Sequence, residues 1–302
     1  MSFAAMLFLA LLLDAAMGEP RWLWQRLPHP AVLMGRAVGW CDARFNHGAA
    51  RKARGIAVML ALGLGALFLG GVLSQLPAPF QIVIAAILLA QRSLVDHVRA
   101  VAAGLRMGLP EGRRMVARIV SRDTAPMDET AVARSAIESG AENLSDGVIA
   151  PAFWFLILGL PGLLLYKITN TADSMIGYRT PRHQDFGWAA ARFDDLLNWV
   201  PARLTAILIA AAHLRADIWP LIRRDAALHR SPNAGWPEAA MAPVLGVALA
   251  GPRSYDGRMQ DFPFVHPEGR RTLDAADVEA ACHALWRTWA VALGVVGVLA
   301  LV

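Results

Sequence analysis

Three groups of polar side chains flank one long apolar run and could act together in chemistry. The first group is Glu138, Glu142 and Asp146, spaced four residues apart. Residues at that spacing share one face of a helix, so the three carboxylates repel each other unless a cation or an arginine lies beside them. Their oxygens suit Mg²⁺, which usually also binds substrate phosphates. The structural alternative is a solvated helix face that pairs with Arg122 or Arg134.

The other two groups follow the apolar run along the chain. Asn170, Asp173 and Ser174 have helical spacing, and Asp194 and Asn198 lie four residues apart. Carboxylates beside arginines suit phosphoryl transfer, in which the protein mainly positions groups and neutralises charge. The structural alternative is an Arg–Asp network that fastens amphipathic helices to a bundle. The candidate binding residues of the three groups are Asn143, Ser145, Asn170, Ser174, Arg179, Arg192, Asn198 and Arg203.

Two further polar motifs contain proline. His29 stands between Pro28 and Pro30, which hold it rigidly, and Asn233 lies in a turn-rich stretch that leads into an apolar helix. Glu238 falls in the first turn of that helix, where a carboxylate complements the helix dipole. We take His29 and Asn233 as candidate binding residues. Their structural alternatives are a satisfied hydrogen bond at His29 and plain helix capping at Glu238.

The elements that must position these groups are membrane helices. Of the 302 residues, 56% are hydrophobic and only 18% are charged, whereas soluble domains carry about 25% charged residues. Residues 56–76 form an uncharged segment long enough to span a bilayer, and 80–90 follows as the second arm of a hairpin. No basic segment precedes the apolar run 3–13, which we therefore expect to be a retained helix and not a signal peptide.

The basic residues predict which side of the membrane the loops occupy. They flank both arms of the first hairpin, so the positive-inside rule puts residues 19–54 and 91–147 in the cytoplasm. The apolar run 148–165 contains Gly159-Leu160-Pro161-Gly162, which can break a helix. We expect a re-entrant hairpin there that returns residues 166–203 to the cytoplasmic side, with a simple span as the alternative.

The remaining segments complete an all-α fold. Residues 204–212 are short and apolar and are expected to form an interfacial or core helix, and 289–302 a final apolar helix. Residues 223–287 are polar and rich in Pro, Gly and Arg. The predicted fold is therefore a polytopic integral membrane protein of helices, with re-entrant or interfacial helices and a polar site on the cytoplasmic face. We assign residues 1–302 to a single domain that includes the polar segment.

Several long motifs in a fixed order give the chain a resemblance that runs essentially from end to end. The chain resembles the CobD/CbiB family of adenosylcobinamide-phosphate synthases. Glu19 stands where that family is expected to have Asp. The motifs are Asp14-x-x-x-Gly18-Glu19-Pro20 with Pro28-His29-Pro30, Arg92-Ser93-Leu94 with His97, Ser121-Arg122-Asp123-Thr124, ESGAENLSDGVIAP from residue 138, NTADSMIGYR from 170, FDDLLNWVPARLT from 193 and SPNAGWPEAAMA from 231.

The resemblance implies a reaction. An enzyme of this family condenses a carboxylate of adenosylcobyric acid with (R)-1-amino-2-propanol O-phosphate, or a related aminoalcohol phosphate, using ATP and Mg²⁺. An acyl phosphate is the natural intermediate. The chain has no Walker-type ATP-binding loop. The residues expected to be catalytic are Asp173, Asp194, Asp195 and Glu142, and those expected to hold the metal are Glu138, Glu142 and Asp146.

The resemblance also implies a location and partners. We expect a bacterial inner-membrane protein whose active face is cytoplasmic, in contact with the lipid bilayer and with no nucleic-acid partner. Other membrane-bound enzymes of the cobalamin pathway are candidate partners. Two alternatives from other classes stay open at this point: an inner-membrane regulatory or sensory protein similar to AmpE, and a small-molecule transporter with broken helices. A regulatory protein does not need all three polar groups together.

Overall fold

A computed structural model describes residues 1–255 and 257–302. The all-α prediction is confirmed, because 72% of the structure is helical and the strands are only two or three residues long. The elements are α1 (Phe3–Met17), α2 (Arg21–Trp24), α3 (Pro30–Phe45), α4 (Arg51–Leu73), α5 (Ala78–Leu88), α6 (Gln91–Met107), α7 (Leu109–Val116), α8 (Glu129–Leu144), a π-helical turn (Ser145–Ile149), α9 (Ala150–Ile176), α10 (Trp188–Ala212), a 3₁₀ turn (Ala216–Ile218), α11 (Trp219–Ala226), α12 (Gly235–Leu245), β1 (Leu249–Ala250), β2 (Arg253–Tyr255), β3 (Arg258–Gln260), β4 (Phe264–Val265) and α13 (Ala275–Leu301).

Several helical segments fit a multi-pass membrane protein. By length and composition, five segments of the described residues could cross a membrane, and α1 is a shorter apolar helix. The segments are Arg51–Leu73, Ala78–Met107, Glu129–Ile176, Trp188–Ala212 and Ala275–Leu301.

The chain forms two compact units. Unit 1 consists of residues 1–90, 150–199 and 296–302, and unit 2 of residues 91–149 and 200–295. The assignment of residues 1–302 to one domain stays a prediction.

In unit 1, α9 is broken where the sequence predicts a break. Gly159 has φ 65° and ψ −147°, which lies outside the helical region and which glycine adopts more readily than other residues. A Cβ on Gly162 would lie 2.4 Å from the carbonyl oxygen of Trp154, eight residues earlier. Eight residues of continuous helix would separate them by about 12 Å. The chain therefore reverses direction, which confirms the helical hairpin, and its entry and exit on one membrane face stay a prediction.

The second arm of α9 runs back along α4. A Cβ on Gly70 would lie 2.4 Å from the Cα of Pro161, and a Cβ on Gly63 would lie 3.3 Å from the side chain of Leu165. The loop 177–187 then packs at the basic end of α4, where Arg51 pairs with Asp185 at 3.5 Å. Residues 177–187 therefore lie at the same end of α4 as its basic residues, as the hairpin prediction requires.

One helix is longer than predicted. Residues 204–212 do not form a separate interfacial or core helix, because α10 begins at Trp188 and passes through Pro201. Proline has no N–H to give to the carbonyl four residues earlier, here that of Leu197. The indole Nε1 of Trp154 donates a hydrogen bond to this oxygen at 3.0 Å. A tertiary contact thus satisfies the group that proline leaves without its helical donor.

In unit 2, α8 is the central helix. Its residues 132–141 are buried except Arg134, which is half-buried, so it is enclosed on nearly every side. Small residues permit this close packing: a Cβ on Gly140 would make ordinary contacts with Val98 and Leu285. A carboxylate on such a helix must be neutralised inside the core, because an unpaired buried charge is very unfavourable.

The polar segment 223–287 contains both helices and short strands. It contains most of α11, all of α12, two small antiparallel strand pairs (β1 with β4, β2 with β3) and the start of α13. Helix α13 begins 14 residues before the predicted start at 289. Val278, Ala281, Cys282 and Leu285 are buried with helical spacing, which extends the apolar helix into the polar segment.

Candidate functional site

Glu138 carries a buried charge in unit 2 that has several partners. Its side chain is 1% exposed and accepts hydrogen bonds from Arg122 Nη1 at 2.8 Å and from the backbone N of Ala250 at 2.7 Å. Arg253 Nη1 lies 3.3 Å away. These arginine side chains are themselves 13% and 10% exposed. The alternative interpretation that Glu138 pairs with Arg122 is therefore confirmed, although the pair is buried and not solvated.

A second buried carboxylate, Glu238, lies near this cluster. Its Oε1 is 3.8 Å from His229 Nε2, and its Oε2 has no hydrogen-bond partner within the described residues. Burial raises the pKa of Glu238 well above its ordinary value, and the carboxylates of Glu138 and Glu142 raise it further. Burial also lowers the pKa of His229. Glu238 lies in the first turn of α12, as predicted, but it is buried and therefore differs from a solvated helix cap.

A cavity of about 380 Å³ opens beside the Glu138 cluster. Arg122, Arg134 and Arg253 line it, together with Asp123 and Asp128. A smaller cavity of about 100 Å³, lined by His229, shares Arg253 with it. Unit 2 therefore contains a polar cavity of the size that small ligands occupy.

The other predicted residues of this region, Asn143, Ser145 and Asp146, have different environments. Asn143 Nδ2 donates to the backbone oxygen of Ser139 at 2.9 Å, which fixes it locally. Ser145 is buried, and its Oγ has no hydrogen-bond partner in the described part of the chain. Helix α8 ends at Leu144, so Asp146 falls in the π-turn and outside the helix that carries Glu138 and Glu142.

Arg203 and Asn233 are brought together in unit 2. Arg203 Nη1 donates to Asn233 Oδ1 at 3.2 Å, and its guanidinium lies 4.6 Å from the centre of the Trp236 ring. A cation over an aromatic face is held in position electrostatically. Two residues predicted separately as ligand-binding thus occupy one place.

In unit 1, Asp194 is the centre of a buried polar network. Its two oxygens accept hydrogen bonds from Asn198 Nδ2 at 2.9 Å and from Asn170 Nδ2 at 3.4 Å. Asn198 Oδ1 in turn accepts the hydroxyl of Tyr166 at 3.0 Å. The predicted clusters at 170–174 and 194–198 therefore meet through Asn170, Asp194 and Asn198. Two amide donors fix the carboxylate in one orientation.

The exposed side of the same segment carries the other predicted residues. Asp195 pairs with Arg192 at 3.4 Å on the surface, and Arg179 also interacts electrostatically with Asp195. Asp173 is half-buried near the end of α9, and Ser174 next to it is exposed. Arg179, Arg192 and Asp195 thus form an accessible group of charges.

His29 has the structural role that its proline neighbours indicate. It precedes α3, and its Nδ1 accepts a hydrogen bond from the backbone N of Ala31 at 3.1 Å. Its ring packs edge-on against Trp24. Burial lowers the pKa of His29, while the charge of Glu19 opposes that change. The two N-terminal motifs therefore meet in unit 1, and a binding role for His29 stays a prediction.

The donors for a magnesium ion are few. Within residues 1–255 and 257–302, no three His, Cys, Asp or Glu side chains are grouped closely enough to hold a metal. Arginines and a backbone N–H already surround the Glu138 carboxylate. Mg²⁺ commonly uses one or two carboxylates together with phosphates and water, so Glu142 and Asp146 remain suitable donors for an ion that arrives with a phosphate.

Sequence reasoning missed Arg253 and His229. Arg253 lies on the short strand β2, where no periodic pattern marks it, and it reaches a carboxylate 115 residues away. His229 stands just before the recognised motif at 231–242. Its Nδ1 accepts a hydrogen bond from Ser231 N, so it belongs structurally with that motif.

Comparison with known proteins gives one consistent result. A family model described as CobD/Cbib protein matches residues 7–285. A relative from Sinorhizobium sp. is 48% identical over 98% of each chain, and one from Rhizobium meliloti is 51% identical over 91% of this chain and 90% of its own. One from Rhodobacter capsulatus is 46% identical over 88% of each chain. All three are named cobalamin biosynthesis protein CobD. No solved structure matches the chain.

Proposed function

The chain belongs to the CobD/CbiB family, and we propose that it forms an amide bond between adenosylcobyric acid and (R)-1-amino-2-propanol O-phosphate, or a related aminoalcohol phosphate, at the expense of ATP. The observation that carries the proposal is the match over nearly the whole chain to cobalamin biosynthesis proteins. This match favours a biosynthetic enzyme over the regulatory protein and the transporter.

The proposed chemistry has two steps. A carboxylate oxygen of the corrinoid attacks the γ-phosphorus of ATP, which releases ADP and leaves an acyl phosphate. The amine nitrogen then attacks the acyl carbon, the amide bond forms and phosphate leaves. Because the amine is an ammonium ion at neutral pH, it must first give up a proton to a base. The protein has to orient two anionic partners, neutralise phosphate charge and accept this proton.

The side chains suit these tasks. Asp194 is held in one orientation by Asn170 and Asn198, as a group that contacts a reacting atom must be. Arg179 and Arg192 are exposed and can present guanidinium groups to a phosphate or carboxylate. Glu142, Asp173 and Asp195 remain candidates for the catalytic carboxylates. Mg²⁺, when bound with ATP, would neutralise phosphate charge, and Glu142 and Asp146 are the residues suited to hold it.

We also propose that the protein lies in the bacterial inner membrane with its active side facing the cytoplasm, where ATP is found. The loop 177–187 supports this orientation, because it packs at the end of α4 that carries Arg51 and Lys52. Basic residues favour the cytoplasmic side of a membrane.

An assay of the purified full-length chain in detergent tests the reaction. The mixture contains adenosylcobyric acid, the aminoalcohol phosphate, ATP and Mg²⁺. Adenosylcobinamide phosphate, ADP and phosphate should appear in equal amounts, with no ADP formed when either organic substrate is omitted. Product without ATP consumption, or no product from a folded protein, would contradict the proposal. A deletion strain supplies a second test, since cobinamide should restore cobamide synthesis and cobyric acid should not.

A further inference from the structure

The cavity of unit 2 is lined in part by buried arginine side chains. The side chain of Arg253 is nine-tenths buried, lines the cavity and has an Nε with no hydrogen-bond partner in the described ranges. A buried donor without a partner is unfavourable, so a ligand that accepts from it gains affinity. Such an acceptor would enter from the cavity that Arg253 lines.

Other guanidinium groups stand beside this donor. Arg122 and Arg253 both bond to Glu138, and Arg122 also donates to Ser135 Oγ at 3.2 Å. Arg134 is held by the backbone oxygens of Ala248 and Arg271. Rigid guanidinium groups whose positions are fixed by other contacts match the oxygens of a phosphate. This end of the cavity is therefore built for a phosphate group.

The same cavity also offers carboxylates. Asp123 Oδ2 accepts hydrogen bonds from Ser254 and from the backbone of Gly257, and Asp128 Oδ1 caps α8 through the backbone N of Ala131. These bonds use one oxygen of each aspartate. Asp128 precedes Ser135 by seven residues, or about 10 Å of helix. The cavity therefore offers both signs of charge, with an acidic group at the N-terminus of α8.

We propose that this cavity binds a small phosphate monoester that also carries an amine, with the phosphate on Arg253, Arg122 and Arg134 and the ammonium group towards Asp123 and Asp128. Under the proposed function, on which this identification rests, that ligand is the aminoalcohol phosphate substrate. A phosphate monoester carries a charge of about −1.5 to −2 at neutral pH, which the arginines would neutralise. The ammonium group of the ligand would pair with the carboxylates that line the cavity. The cavity volume of about 380 Å³ suits such a small molecule.

Binding of O-phosphoethanolamine to the full-length protein in detergent tests the site by calorimetry, without ATP or corrinoid. The wild type should bind it, and ethanolamine should not bind measurably. Arg253→Gln should weaken binding at least tenfold. Arg258→Gln is the matched control, because Arg258 is exposed on the neighbouring strand β3. This variant should bind O-phosphoethanolamine with an affinity within twofold of that of the wild type. Thermal unfolding shows whether each variant is folded.

Arg134→Gln provides a second variant if Arg253→Gln does not fold, because the described hydrogen bonds of Arg134 are to backbone oxygens and not to Glu138. This variant should bind O-phosphoethanolamine several-fold more weakly than the wild type. Unchanged affinity in every folded cavity variant would overturn the proposal. So would displacement of O-phosphoethanolamine by ADP together with loss of ADP binding in the variant, which would assign the cavity to a nucleotide.

Turnover assays distinguish a failure of the proposed binding site from a failure of the proposed reaction. If O-phosphoethanolamine binds and the variants lose it, but no amide product forms, the site stands and the proposed function fails. If product forms and the KM for the aminoalcohol phosphate is the same in Arg253→Gln and the wild type, the site fails and the function stands. The expected result is a raised KM for the aminoalcohol phosphate with unchanged KM for ATP.

Discussion

Glu138→Gln removes the negative charge that two buried arginines share. The carboxylate accepts from Arg122, Arg253 and the backbone N of Ala250 within a helix that is enclosed on nearly every side. Glutamine has nearly the same shape and keeps one oxygen acceptor. Its amide group, however, is a donor and would face other donors. The variant therefore tests the charge and the hydrogen bonds without creating a cavity.

The size of the effect follows from burial. Removing one partner of a buried ion pair destabilises a protein by about 3–5 kcal/mol, because the remaining charge stays buried without compensation. The retained oxygen preserves one hydrogen bond, worth about 1 kcal/mol. We therefore expect a loss near the lower end, about 3 kcal/mol, for Glu138→Gln. The control Glu129→Gln lies at the exposed start of the same helix and should change stability by less than about 1 kcal/mol.

Reversible unfolding in mixed detergent micelles, followed by circular dichroism, measures both variants. Glu138→Gln combined with Arg253→Gln should be less destabilising than the sum of the single changes by about 1–3 kcal/mol, as expected for residues in contact. A loss below about 1 kcal/mol for Glu138→Gln, together with additive effects in the double variant, would refute the description of Glu138 as a desolvated partner of two arginines.

Four further predictions concern other parts of the structure. Gly70→Ala should lower the thermal midpoint through a clash with the α9 backbone, costing about 1–3 kcal/mol, whereas Gly71→Ala, with nothing within 4 Å, should raise it. The pKa of Glu238 is raised in the folded protein, so its contribution to stability is complete below its unfolded pKa of about 4.3 and is lost as the pH rises. The free energy of unfolding of Glu238→Gln should therefore increase relative to that of the wild type between pH 5 and 8. A difference in unfolding free energy that stays constant with pH would count against this. Asp194→Asn should lower kcat by about 100-fold if the carboxylate acts in proton transfer, and wild-type turnover would remove it from the site. Thr180→Cys should react with an impermeant thiol reagent in inverted vesicles and not in intact cells, and the reverse pattern would break the predicted orientation.

The sequence predicts the parts of the fold that depend on local backbone chemistry. The break at Gly159 follows from the conformational limits of glycine and proline, which act within a few residues. The length of α10 could not be predicted in this way. The carbonyl of Leu197, which Pro201 leaves without its helical donor, accepts a hydrogen bond from the indole of Trp154, a residue 43 positions away along the chain.

In the candidate sites, too, local sequence patterns predicted some contacts, whereas contacts between distant parts of the chain could not be predicted. Helical spacing brought Asp194 and Asn198 together correctly, because residues four apart share a face. Spacing could not reveal Arg253, which reaches Glu138 from a short strand without a repeating pattern. The π-turn that follows α8 and contains Asp146 likewise could not be predicted, since such a turn has no clear signature in the spacing of apolar residues.

The surroundings of Asp194 in unit 1 bear on the two interpretations of its cluster. A packing network would pair it with arginine, yet its described hydrogen bonds come from the amides of Asn170 and Asn198. Asp194 lies six residues, or about 9 Å, along α10 from Trp188, whose ring contacts Lys52 at the basic end of α4. The uncharged part of α4 begins at Ile56, four residues or about 6 Å inside that end. An ionisable group placed inside an apolar layer without a charged partner is unfavourable unless it serves a function. Asp194 is therefore the carboxylate of unit 1 with the strongest case for direct contact with substrate, which would reach it from the basic end of α4.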